Sequence, residues 1–161
     1  MKPFKIFFRN QLLAWELATN KPQKIKDPKL YALKEKTTNE YFKVLNNDSA
    51  LVTKLPLIIG RYDVNTAVTD LPNFPLHKYY AHVSRKHAII YEKEGKLRIK
   101  NVSRHGTFLA STKEKISDRE IEDGDTFYLG KTNEETFVMT IKLKEYTILE
   151  KIINWMTKNS N

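Results

Sequence analysis

Between Tyr41 and Lys144 the apolar positions come in short bursts. "YFKVL", "ALVTK", "PLIIG", "HAIIYEK", "KLRIKNV", "TFLA", "TFYLG" and "TFVMTIKL" are rich in β-branched and aromatic residues. Polar turn residues separate them: Asn46-Asn47-Asp48, Glu94-Gly95-Lys96, Asp123-Gly124-Asp125, and the run from Lys131 to Glu135. Short strands joined by tight turns, with no helical period between them, predict an antiparallel β-sandwich. One connection stands out. Residues 61–83 carry Pro72 and Pro75 and are longer than a turn requires, and long connections in compact domains are often functional.

The flanks have a different texture. Residues 4–18 place Phe4, Phe7, Phe8, Leu12 and Trp15 at spacings of three to four, after Pro3, which predicts a helix, although "FKIFF" alone also suits a strand. "TNKPQKIKDPK" from Thr19 to Lys29 reads as a connector, and "LYALKEK" fits either regular structure. In the tail Tyr146–Lys158, Ile148, Leu149, Ile152, Ile153 and Met156 form one helical stripe. That helix is expected to dock on the sandwich, with partner binding as the alternative. The expected division is an N-terminal extension over 1–40, partly helical, a sandwich over 41–144, and an amphipathic helix over 145–161.

A chain of 161 residues, 40% hydrophobic, is long enough for one full core. The absence of cysteine excludes disulfides and thiolate metal sites and fits a reducing compartment. No apolar run of membrane-spanning length occurs, and Arg9, Asn10 and Glu16 interrupt anything resembling a secretion signal. An intracellular location, cytoplasmic or nuclear, is expected. The acceptor-like triplets at Asn47 and Asn101 are therefore read as chance. The balance of 28 Lys+Arg against 19 Asp+Glu, a net charge of +9, favours anionic partners.

Candidate chemistry concentrates in "HVSRKHAIIY", His82 to Tyr91. Ser84 and His87 lack both a nucleophile elbow and an obvious orienting acid, so a catalytic pair is disfavoured. His77, His82 and His87 are five apart, which matches neither a helix face nor a strand face, so no metal site is expected. Asp123-Gly124-Asp125 reads as a turn. With five glycines and no phosphate-loop pattern, a nucleotide-binding enzyme is also disfavoured. An anion cradle fits better. Phosphate binding needs a guanidinium fork, a hydroxyl and further donors converging from loops. Gly60-Arg61 ends one predicted strand. Ser84, Arg85 and Lys86 precede another, and Ser103, Arg104, His105 and Thr107 surround Gly106. His87, just before a buried strand, is expected to pin a loop by hydrogen bonds.

The order Gly60-Arg61, Ser84-x-x-His87, Ser103-x-x-Gly106-Thr107 and Asp123-Gly124-Asp125, closing on a strand that ends at Gly130, resembles the forkhead-associated (FHA) domain. The resemblance spans about Leu57 to Gly130 by motif and 41–144 by strand pattern. It implies an all-β sandwich of about eleven strands whose loops at one end bind phosphothreonine peptides. It further implies that Arg61 and Ser84 hold the phosphate, that Arg85 adds a contact, and that Gly60 and His87 shape the loops. Lys86, Arg104 and His105 complete the expected phosphopeptide site, while Ser103, Gly106 and Thr107 belong to the structural motif. This sequence departs from the family at His105, where an asparagine usually bonds the peptide backbone. A neutral imidazole offers one donor and one acceptor, part of what an amide offers.

The expectation is a binding module, not an enzyme, with no cofactor and no metal, recruiting a phosphorylated protein as a monomer or within a larger complex. Arg61, Ser84 and Arg85 should lie near solvent and His87 should be buried. One alternative is a scaffold of the same fold that binds through its terminal helices. The other is a basic nucleic-acid binder, disfavoured because the cations are scattered along the chain; no membrane partner is expected.

Overall fold

The computed structural model describes residues 1–9, 13–14, 26–130, 136–144 and 148–160. Two sheets face each other. The six-stranded sheet has the order β2-β3-β1-β11-β10-β8, built from β1 Phe4–Phe8, β2 Phe42–Asn46, β3 Ser49–Val52, β8 Thr107–Leu109, β10 Thr126–Leu129 and β11 Phe137–Lys142. The five-stranded sheet has the order β5-β4-β6-β7-β9, built from β4 Leu57–Arg61, β5 Phe74–Leu76, β6 Ala88–Lys93, β7 Lys96–Asn101 and β9 Asp118–Glu120. All pairings are antiparallel except β4 with β5. Eleven strands among the described residues make this the β-sandwich that the strand texture and the family resemblance imply.

Each expected burst between 41 and 144 lies on a strand. β1, β5 and β9 are additions. Residues 4–8 are not the start of a helix. Phe4, Ile6 and Phe8 point inward and are buried, while Lys5 and Phe7 point outward, a period of two. The three-to-four spacing of Phe4, Phe7 and Phe8 is compatible with both periods. The sheet decides, because β1 fills the gap between β3 and β11 and satisfies both edges. The remainder of the expected 4–18 helix lies largely outside the described residues, as does most of the 19–29 connector; Leu13 bridges to Leu76.

Helix α1, Pro28–Lys36, resolves the "LYALKEK" ambiguity. Asp27 caps it, its Oδ1 accepting from the backbone N–H of Lys29 at 3.0 Å and of Leu30 at 3.4 Å, with Pro28 in the first turn. Leu30 and Leu33 are buried.

Helix α2, Ile148–Lys158, forms where the tail stripe predicts it, but its described apolar side chains do not dock on the sandwich. Ile152, Ile153, Trp155 and Met156 are 49%, 51%, 67% and 58% exposed. The side chains of Ile148 and Leu149 lie outside the described residues. Among the described residues no helix is long and apolar enough to cross a membrane.

The core lies between the sheets. Phe8 packs edge-on to Phe74 across the sandwich at 6.4 Å between ring centroids, and Phe42 meets Phe74 at 4.7 Å. The strand directions bring the end of β4, the loop before β6 and the loop between β7 and β8 to one end of the molecule.

Candidate anion-binding site

Gly60 and Arg61 end β4 directly against the loop that precedes β6. The Arg61 N–H donates to the Ser84 carbonyl at 3.0 Å, and the His87 N–H donates to the Ile59 carbonyl at 2.9 Å. The approach is so close that a Cβ on Gly60 would lie 1.9 Å from the Arg85 carbonyl oxygen. Glycine is required there by contact, since its own backbone needs no unusual dihedral.

The Arg61 guanidinium is preset. Nε donates to the Val83 carbonyl at 3.0 Å, and Nη1 pairs with Asp63 Oδ2 at 3.3 Å, leaving Nη2 unengaged among the described residues. The side chain is only 22% exposed, so the expectation of a solvated Arg61 is corrected: its fork is held by the fold, which lowers the ordering cost of binding. Asp63 is itself held below the usual carboxylate range by the Asn65 N–H and by Arg61. Ser84 is half-buried with its Oγ free of hydrogen bonds among the described residues, and Arg85 and Lys86 are exposed beside it.

His87 is fully buried, as expected, and braces two loops. Nδ1 accepts from the Ser84 backbone N–H at 3.0 Å, and Nε2 lies 2.7 Å from the Gly106 carbonyl. These partners require the tautomer protonated on Nε2. Burial pushes the ring's pKa down to about 4, against the opposing pull of the Gly106 carbonyl. Both nitrogens serve the backbone, so the ring is not placed to take a proton from Ser84 Oγ.

The third loop is organised by Asn101, which the sequence reading did not single out as a site residue. Its Oδ1 accepts from Ser103 Oγ at 2.6 Å and Thr107 Oγ1 at 2.9 Å, while Ser103 Oγ accepts from the Gly106 N–H at 2.8 Å. The hydroxyls of Ser103 and Thr107 are thus both engaged within the loop. An asparagine at a strand end just before S-x-x-G-T was the available signal. Gly106 has φ +94°, and a Cβ there would press on Phe108 at 3.1 Å. Arg104 is exposed on the tip of this loop. His105 is half-buried, and its ring meets His82 edge-on at 5.8 Å. His82 is a second site residue not foreseen, because only the folded loops bring positions 82 and 105 together. His77 is apart from both: its Nδ1 accepts from the Tyr79 N–H at 3.0 Å. Among the described residues no three histidines or acids gather as a metal site.

The candidate site is therefore a cationic rim of Arg61, Arg85, Lys86 and Arg104 on loops that His87 ties together, with Asn101 organising the third loop from within. Behind it, Tyr62 donates to the Asp27 carboxylate, which links the helix cap to the strand end beside Arg61. Burial, reinforced by Asp27, pushes the Tyr62 hydroxyl well above its ordinary pKa.

Fold and loops define a two-sheet β-sandwich that gathers cations at one loop end. Residues 57–130 match the family model of the FHA domain. Among solved structures, the chain is similar to the N-terminal FHA domain of S. cerevisiae Rad53p in complex with a phosphothreonine peptide. Identity there is 16% and the TM-score is 0.50, over 94% of this chain and 99% of that one. It is also similar in fold to full-length yeast Pml1p, with 12% identity and a TM-score of 0.52 over 87% of this chain and 81% of that one. A comparison with curated proteins by sequence finds no match.

Proposed function

We propose that this chain is a phosphorylation-dependent protein–protein interaction module that binds phosphothreonine segments at the Arg61–Ser84–His105 loop end. The observation that carries the reading is the preset guanidinium of Arg61, fixed by the Val83 carbonyl and Asp63 beside Ser84, whose hydroxyl makes no hydrogen bond among the described residues. A dianionic phosphate takes charged hydrogen bonds that an unmodified threonine cannot make. At about 1.5–3 kcal/mol per charged bond, two such bonds separate usable affinity from none. Arg61 and Ser84 hold the phosphate, Arg85, Lys86 and Arg104 supply the surrounding field, and His105 faces the peptide beside it. The module binds and performs no catalytic step, and we infer an intracellular setting, cytoplasmic or nuclear. The division proposed is a 1–40 segment, a 41–144 sandwich and a 145–161 tail, with Phe4–Phe8 supporting a folding unit that includes β1.

The test is a titration with matched phosphorylated and unmodified threonine peptides on the full chain, Arg61→Ala and Ser84→Ala. Binding of the phosphorylated peptide alone, weakened about tenfold or more in each variant, is expected. A variant Arg61→Ala that binds as well as the parent removes the cradle assignment. A second reading, a scaffold that works through its terminal helix, is favoured by the exposed Ile152, Ile153, Trp155 and Met156. It gains if no phosphopeptide binds while removal of residues 145–161 abolishes a partner.

A further inference from the structure

Three lysines far apart in the sequence fall into one row on the outer face of the six-stranded sheet. The register places Lys43 beside Leu51, Leu51 beside Lys5, and Lys5 beside Lys142, one row across four neighbouring strands. Cross-strand neighbours lie about 5 Å apart, and like charges directly opposite destabilise a sheet. Neither Lys43 nor Lys142 has an ion pair among the described residues. The five-stranded sheet is built differently. There Arg98 pairs with Asp118 at 3.0 Å and Lys96 with Glu120 at 3.6 Å, so cross-strand acids answer the cations.

The rows next to the lysines carry aromatic and hydroxyl groups. Phe7 lies opposite Thr140, which lies opposite Thr126, and Tyr128 lies opposite Val138. Phe7 and Tyr128 are both partly exposed, while Val138 opposite Tyr128 is buried. A cleft of about 380 Å³ crosses this face, lined by Phe7, Arg9, Asp48, Thr126 and Thr140 among others.

We propose that this sheet face is a second binding surface and that its partner is single-stranded nucleic acid. The reading is independent of the phosphothreonine site. Lysines in a row supply the sequence-independent attraction to a phosphate backbone, and rings rising from a sheet supply platforms on which bases stack. An acidic polypeptide would use the lysines but leaves the aromatic rows without a purpose.

The experiment is a fluorescence anisotropy titration of the full chain with a labelled, mixed-sequence single-stranded oligonucleotide across a range of salt. For single strands the slope of log K against log salt is about −0.7 per phosphate neutralised, so Arg9, Lys43 and Lys142 together give about −2.1. Binding is expected at low salt and should weaken about twenty-fold between about 50 and about 200 mM. The double variant Lys43→Glu/Lys142→Glu should lose about tenfold or more in affinity and flatten the slope by about 1.4. A control of equal charge on the other sheet, Lys93→Glu/Lys100→Glu, should retain most of the binding. Phosphothreonine-peptide affinity should be the same in all three proteins, which separates the two sites. The proposal is overturned if no oligonucleotide binds at low salt, or if the control loses as much as the double variant, which would mean diffuse charge. It is also overturned if poly-glutamate competes as well as the oligonucleotide, which would make the partner an acidic protein.

Discussion

Protonation of His87 should unfasten the binding end of this sandwich. The ring is fully buried with Nδ1 accepting from Ser84 N–H and Nε2 facing the Gly106 carbonyl. A proton on Nδ1 would point at another N–H, so the charged ring loses one loop and keeps its charge out of water. The native pKa is about 4, below the ordinary histidine value of 6.5. The native state therefore holds the ring neutral while the unfolded chain takes up a proton below pH 6.5. The stability is fully present above pH 6.5, declines as pH falls, and has been lost by about pH 4. At 1.36 kcal/mol per unit, the difference amounts to about 3 kcal/mol, a large share of a typical domain's stability. The assay is denaturant unfolding at steps from pH 7 to pH 4 on the parent and on His87→Gln, which cannot titrate. The variant starts lower, by about 1–3 kcal/mol, because the brace is altered. Subtracting the two profiles cancels every other titrating group. The parent's stability relative to the variant should fall by about 3 kcal/mol toward pH 4, so that the variant there matches or exceeds the parent. Parallel profiles, or a titration of His87 near 6.5 in the folded protein, would refute the brace as described.

Gly60→Ala should cost about 3 kcal/mol or more, since its Cβ meets the Arg85 carbonyl at 1.9 Å and both strands are tied there by backbone bonds; a thermal melt near the parent's would contradict the packing. Deleting residues 1–9 should prevent stable folding: burial of Phe4, Ile6 and Phe8 is worth about 5–9 kcal/mol together, and β3 and β11 lose a shared partner; a cooperative melt of the truncated chain counts against this. His105→Asn should hold or strengthen phosphopeptide affinity, measured by titration; a tenfold loss would assign the imidazole a role of its own.

Much of the fold was legible in the order of residues, for a local reason. Strands two residues in period, bounded by Asn, Gly and Asp turns, announce themselves without knowledge of their partners, and so do Arg61, Ser84 and His87 as loop residues at strand ends. Phe4–Phe8 was not decidable locally, because five residues with apolar positions 4, 6, 7 and 8 satisfy two periods, and only the open slot between β3 and β11 selects one. β5 and β9 are three residues each, too short to show a period, and exist because β4 and β7 offer edges to pair with. The helical stripe at 148–158 predicted a helix correctly but not what it packs on, since amphipathicity states that a face wants cover and not where the cover is. The roles of Asn101, Asp63 and His82 are likewise tertiary: an asparagine becomes a hub, an acid sets a guanidinium, and two imidazoles touch only when loops distant in sequence converge. The lysine row at 43, 5 and 142 is the extreme case, because strand register is a property of pairs of segments and no single segment contains it.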